Sequence, residues 1–389
     1  MTKSVIVQTE LANSEEAGRN LGKQISKAFD AEIPDAVILF ASPVFDYPLL
    51  LKSLMEECAP AILAGCSSAG EFSGDTPSGS SACGVAIRSS DLGFGVGVGR
   101  GIAHDRAAAA REMVGIFRST SCAQYHFRSA LLLTDALAGY TEELFEHLNV
   151  ATAGRYQVFG GGAGDDAKFS RTHIFCGTEA ITDAAVALEI LSNKPLGIGV
   201  SHGWKPDSPP MLVTEASGMR VVSLNTMPVV EAFQEHAEKN GQNFDMQNPL
   251  PFFLHNVIGI ETDDGYKLRV PLSIETDGSV SCAAEVPEGC SVRFMSADSA
   301  SAADAADRAT RAAMGQLERG SSPALALFFD CAATRLRIGK QFTYELSRVA
   351  NELGSTKFVG CNTYGQFARV DGQFSGFHNC TAVICIIPE

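Results

Sequence analysis

Cys66, Ser67 and Ser68 stand between two glycines in the stretch AGCSSAGEF (64–72), and Cys361, Asn362 and Thr363 stand in the same frame in VGCNTYGQF (359–367). Glycine at a strand end permits a positive φ or a close approach of two backbones. Each stretch therefore reads as a sharp corner that presents a thiol and short polar side chains. Gly65 and Gly360 precede the cysteines, Gly70 and Gly365 follow them, and a further glycine corner, YQVFGGGAGDD (156–166), carries Gly160 and Gly161. Three kinds of chemistry suit such corners. Gly65-Cys66-Ser67-Ser68-Ala69 has the outline of a degraded nucleophile elbow, and Cys66 with Glu71 and a distant histidine would make a thiol catalyst. The equivalent of Ser67 is Asn362, however, and no helical pattern follows either corner, so a hydroxyl nucleophile is not what recurs and an enzyme is not the expected reading. Consecutive amides in GGGAGDD would suit a phosphate, but Asp165 and Asp166 repel one, and neither a P-loop nor a GxGxxG opening a helix is present. The third reading is a ligand pocket lined by Gly65, Cys66, Ser67, Gly160, Gly161, Cys361, Asn362 and Thr363. Arg335 would clamp a ligand carboxylate there.

The elements that must hold these corners alternate. Val5 to Gln8 reads as a strand, Ala17, Leu21, Ile25, Ala28 and Phe29 recur at helical spacing behind Asn13 or Ser14 as cap, and AVILFASP (36–43) reads as a strand. A helix then opens at DYPLLLKSLMEEC with Pro48 in its first turn, and the first corner follows. The order returns in SALLLTDALAG (129–139), a helix capped by Thr141 and the second corner, and again in PALALFFDCAATR (323–335), a helix bearing Phe342, Leu346, Val349 and Leu353, and the last corner. After the corners, CGVAIR, LGFGVGVG and HNCTAVICII read as return strands, with THIFCG and GIGVSHG in that place in the second copy. This predicts an α/β (α+β) fold of three repeated strand-helix-strand units with corners at strand ends, where ligands sit in open sheets. Residues 211–297 read as strands and turns with one helix from Pro228 to Glu238, followed by an alanine-rich helix from Ala302 to Leu317. The proline-rich GWKPDSPP (203–210) is the expected boundary between domains 1–205 and 206–389, packed around a cleft.

Composition narrows the function. The 389 residues, 45% hydrophobic and 19% charged with 37 glycines, can bury large cores. The net charge of −15 without an opposing basic cluster argues against nucleic acid. No apolar run approaches the roughly 18 residues of a membrane span, and the N-terminal stretch turns acidic before a signal-peptide apolar region forms. Eleven cysteines with no CxxC argue against zinc ribbons and attached haem and for a reducing, cytoplasmic setting. A few of them could gather as a redox switch or thiolate metal site.

The corner AGCSSAGEF, the segment VTEASGMRVVSLNTMPVVEAF and the run DCAATRLRIG…FTYEL…VGCNTYGQF…GFHNCTAV together resemble the FIST family, a bacterial sensory module with N-terminal and C-terminal domains, over about residues 30–387. Many members carry glutamate where this chain has Gln366. The resemblance implies small-ligand sensing. Some stand-alone members are haem proteins that sense nitric oxide and control partner histidine kinases or cyclic-di-GMP enzymes, which implies haem b here, a signalling partner acting in trans, and possible homo-oligomers. Haem needs a neutral imidazole or a thiolate and apolar walls. Under that implication His202, beside the sole Trp204 at the end of LGIGVSHGW, and His255, beside Phe253 in PFFLHNVIG, are the candidate axial ligands, with His378 in GFHNC as a third candidate in the pocket. A sensor of amino acids or small carboxylates in the same cleft is the alternative, and a thiol-dependent enzyme the next.

Overall fold

The computed structural model describes residues 2–117, 124–370 and 375–389. Its plan is a threefold repetition of one unit. In the first, Thr2–Thr9 leads through helix Ser14–Ala28 to strand Ala36–Ala41, then through helix Tyr47–Cys58 to strand Leu63–Ser67, and Ala82–Ser89 returns between the first two strands. The helices start where the sequence placed caps, at Asn13 and Asp46, whose side chains accept from the amides of Glu16 and Leu49. The middle strand and the corner strand run parallel in every unit: Ala36–Ala41 with Leu63–Ser67, Phe127–Thr134 with Gln157–Gly162, and Pro323–Cys331 with Phe358–Thr363.

Each corner is followed by a hairpin that leaves its own unit. Glu71–Ser73 pairs with Phe358–Thr363 of the third unit, Ile174–Cys176 with Leu63–Ser67 of the first, and Gln366–Arg369 with Gln157–Gly162 of the second. This cyclic exchange makes three six-stranded sheets that depend on one another. Their inner faces pack together, and Phe40, Phe159 and Phe329, one from each sheet, meet at the centre with ring centroids 5.6 and 6.3 Å apart. Burying each such ring is worth about 2–3 kcal/mol. The helices cover the outer faces, giving three peripheral cores.

Between the third unit's first strand, Gly197–Ser201, and its helix Ser299–Gln316 lies a nine-stranded sheet with its own phenylalanine core around Phe233, Phe253 and Phe294. Arg269, 2% exposed, pins it to the units: its guanidinium donates to Glu142 at 3.0 Å and to the carbonyl of Phe377 at 2.9 Å. Three expectations change here. GIGVSHG is not the return strand of the second unit; Ala184–Ser192 is, and Gly197–Ser201 pairs instead with Ala382–Pro388. FFLHNVIGI is not all strand, because Pro249 and Pro251 open the helical turn Leu250–Phe253 and the strand begins at Val257. Thr141 begins its helix rather than capping it, with Tyr140 at the cap. Among the described residues no helix is long and apolar enough to cross a membrane.

Candidate functional site: a cleft where the three corners meet

The first glycine of each corner has one physical task. A Cβ on Gly65, Gly160 or Gly360 would lie 2.0, 2.1 or 1.7 Å from the carbonyl oxygen of Leu39, Leu132 or Phe328 on the parallel neighbour. The close approach, not a positive φ, excludes a side chain at Gly65 and Gly360. The second glycines differ: Gly70 and Gly365 have φ of +130° and +106°, and there the left-handed half of the map is required.

The corners converge as expected, but they bond one another. The Ala69 amide donates to the Asn362 carbonyl (2.9 Å) and the Asn362 amide to that of Gly70 (2.8 Å). Gly164 donates to Ser67 (2.9 Å), Asp166 to Ser68 (3.2 Å), Gly162 to Gly365 (2.9 Å) and Tyr364 to Gly162 (2.9 Å). The expectation of exposed corner amides and hydroxyls is therefore corrected: Ser67, Asn362 and Thr363 are 0% exposed, because the three turns interlock through their own backbone amides and carbonyls. Ser67 Oγ accepts from the His173 amide at 2.9 Å. Cys66 and Cys361 point into the central core and touch through their thiols, burial pushing Cys361 well up. Gly161 is backed by Gly365 and Thr363. Asp165, enclosed in the second corner, accepts from the amides of Phe169, Ser170 and Arg171 and from the Tyr364 hydroxyl. Burial would raise it, but those donors hold its carboxyl below the usual range.

What opens beside this knot is a cleft of about 880 Å³, within the range of small-molecule sites. Its walls come from all three units: Ala69 and Ser80 from the first, Asp166 and Ala167 from the second, and Arg335, Lys340 and Phe342 from the third. Arg335 is the predicted pocket residue that faces it. Its Nη1 donates to the carbonyl of Ala69 and to Oδ1 of Asn362, both at 3.2 Å, and the guanidinium lies 5.9 Å from the Phe342 ring centroid. Gly70 makes room for it, since a Cβ there would stand 1.2 Å from Nη1. Asp166, exposed and accepting from Ser42 Oγ at 3.1 Å, supplies the opposite charge. The sequence marks Asp166 only as a charge that repels phosphate from the second corner, and no local pattern singles out Lys340. Glu71 is the other notable group. It is 0% exposed, takes hydroxyl hydrogen bonds from Ser68 and from Ser81 (2.8 Å), and burial lifts its carboxyl to about 7.

The histidines lie away from the cleft. His202 and His378 stand near each other where the nine-stranded sheet meets the third unit. Nε2 of His202 is 3.2 Å from the Tyr266 carbonyl, burial lowers its pKa to about 4, and burial holds His378, 1% exposed, well below the ordinary imidazole value. His255 is exposed at the end of the turn after Phe253, which is itself sealed in the phenylalanine core, and Trp204 is 6% exposed under the Arg337 guanidinium at 5.0 Å. The cavities beside Trp204 and Cys331 hold about 10 and 30 Å³, whereas a drug-sized ligand takes roughly 300 Å³ or more. These residues do not fit a haem macrocycle as they stand. Among the described residues no group of three or more His, Cys, Asp or Glu is placed to hold a metal.

Comparison with known proteins agrees with the family resemblance. A FIST N domain model matches residues 35–227 and a FIST C domain model residues 230–369. The chain belongs to the FIST family, and its role is that of a small-ligand sensory protein. It is 25% identical over 268 residues to the uncharacterized protein MT0656 of Mycobacterium tuberculosis, covering 67% of this chain and 68% of that one, and 24% identical over 268 residues to the uncharacterized protein Mb0898c of Mycobacterium bovis, covering 67% of each. Among solved structures it aligns with a cyanuric acid hydrolase from A. caulinodans at 8% identity and a TM-score of 0.34, over 100% of this chain and 99% of that one.

Proposed function

We propose that the ligand sensed is a small carboxylate, amino-acid-like in carrying a cationic group as well, bound in the cleft beside Arg335. The observation that carries this reading is the placing of Arg335: one nitrogen ties the first corner to the third, and the side chain lines the same cleft as Asp166 of the second. A carboxylate on the guanidinium and an ammonium near Asp166 would bridge the third and second units, and the Arg335 bond to Ala69 carries the link to the first. Binding then biases their arrangement by its differential affinity for two states, and a partner protein such as a histidine kinase reads the change in trans.

Titration of the purified protein with amino acids and small carboxylates tests this. A ligand that binds the folded state raises the melting temperature with concentration, and Arg335→Ala should abolish the rise while Asp166→Asn should remove the preference for an ammonium group. A panel with no carboxylate that shifts the wild type would end the reading. Haem b, sensing nitric oxide through His202 or His255, is the alternative drawn from the family. Its one support is that burial keeps His202 neutral, the form that ligates iron. A Soret band after haem loading, moved by nitric oxide and lost with alanine at His202, His255 or His378, would favour it over the carboxylate.

A further inference from the structure

On the other side of the short helix that carries Arg335 lies a small cavity of about 10 Å³, room for one water-sized occupant. Asp330 and Glu345 line it together with Trp204, Thr334, Arg337 and Cys380. Both carboxyls are 1% exposed, and Oδ2 of Asp330 and Oε2 of Glu345 have no hydrogen-bond partner. A buried, unpartnered carboxylate oxygen is expensive and calls for a partner. Arg337 is not that partner. Its Nη1 donates to the carbonyls of Ala297 and Asp298, both at 3.0 Å, its face rests on Trp204, and its Nε is itself unpartnered. When both acids are ionised, two carboxylates against one guanidinium leave one negative charge, and one positive charge of water size completes the site.

We propose that this cavity binds a single dehydrated monovalent cation, sodium, potassium or ammonium, between the free oxygens of Asp330 and Glu345. Thr334 lines the same cavity. Two acids are too few for a divalent cage, in keeping with the absence of any three-residue metal cluster among the described residues. The competing occupant is a proton, since burial raises both acids, Glu345 to about 8. The inference does not depend on the identity of the ligand in the cleft.

The test is thermal melting of the full chain at pH 8.5 in choline chloride, an ion too large for the cavity, with sodium, potassium or ammonium chloride substituted at constant ionic strength. One of the three should raise the melting temperature saturably, by about 2 °C at tenfold its dissociation constant, and the Asp330→Asn/Glu345→Gln variant should melt alike in every salt. Should that variant not fold, sodium-23 line broadening on the wild type, displaced by potassium or ammonium, supplies the readout. Equal melting in all salts without such broadening overturns the proposal, and a loss of stability between pH 6.5 and 8.5 that persists in Glu71→Gln, whose own titration falls in that window, then identifies the occupant as a proton.

Discussion

The first and third units have the same backbone and opposite interiors. Ala41 pairs with Ser67 where Asp330 pairs with Asn362, so one position is a methyl in one unit and a carboxyl in the other. Glu71 faces Cys361 across its foreign strand as Gln366 faces Gly161, and there the first unit holds the acid and the third the amide. Glycines at 65 and 360 keep the strands in contact in both. The scaffold therefore repeats through backbone contact, while chemistry is distributed singly by the side chains at equivalent places. The third unit collects Asp330, Arg335, Arg337 and Glu345, and the first retains only Glu71 among buried acids.

Moving chemistry between the units is the strongest way to break this comparison. Ala41→Asp puts a carboxylate at a 0% exposed site, and should cost about 4 kcal/mol in urea unfolding or prevent folding outright; tolerance would show that the first unit also hides a polar cavity. Gly65→Ala and Gly360→Ala should each cost about 3 kcal/mol, by forcing a Cβ into a carbonyl, and matching losses would confirm that the two corners are mechanically equivalent. Gly70→Ala should cost about 2 kcal/mol, because its φ is in the glycine region and Arg335 must move, and any ligand-induced melting shift should disappear with it.

Glu71→Gln makes the first unit resemble the third and, alone among these variants, should stabilise. The folded-state pKa of Glu71, about 7, lies above its ordinary 4.5. Its protonated form therefore contributes stability that is complete below about pH 4.5 and is lost as pH rises through 7. The variant should gain on the wild type by about 2 kcal/mol between pH 5 and pH 8, measured by unfolding at both. An equal difference at the two pH values would show that Glu71 is ionised throughout.

Much of the plan was legible in the residues. Alternating apolar runs and caps gave three units, because Leu21 and Ile25 at helical spacing or AVILF in a row have few other solutions. Repeated glycines marked the corners. The hairpin exchange was not legible, since Glu71–Ser73 is the same extended trimer whichever edge it joins, and edge choice is decided by which sheet stands nearest. For the same reason, of the corner and pocket residues named from the sequence, Arg335 lines the cleft while the corner residues are enclosed beside it. Asp166 and Lys340 come to that cleft from different units, about 170 residues apart in sequence, and no local pattern registers such a meeting.

What the amino-acid order determined by itself is local: which segments are strands and helices, where glycine is compulsory, and that the same unit recurs. Tertiary structure alone decided which corner amides were already used, that Glu71 and Glu345 are sealed from water while Asp166 faces it, and that one arginine spans two units. The reason is that burial and hydrogen-bond partnership belong to the space between segments, and that space is defined only once all three sheets have closed on one another.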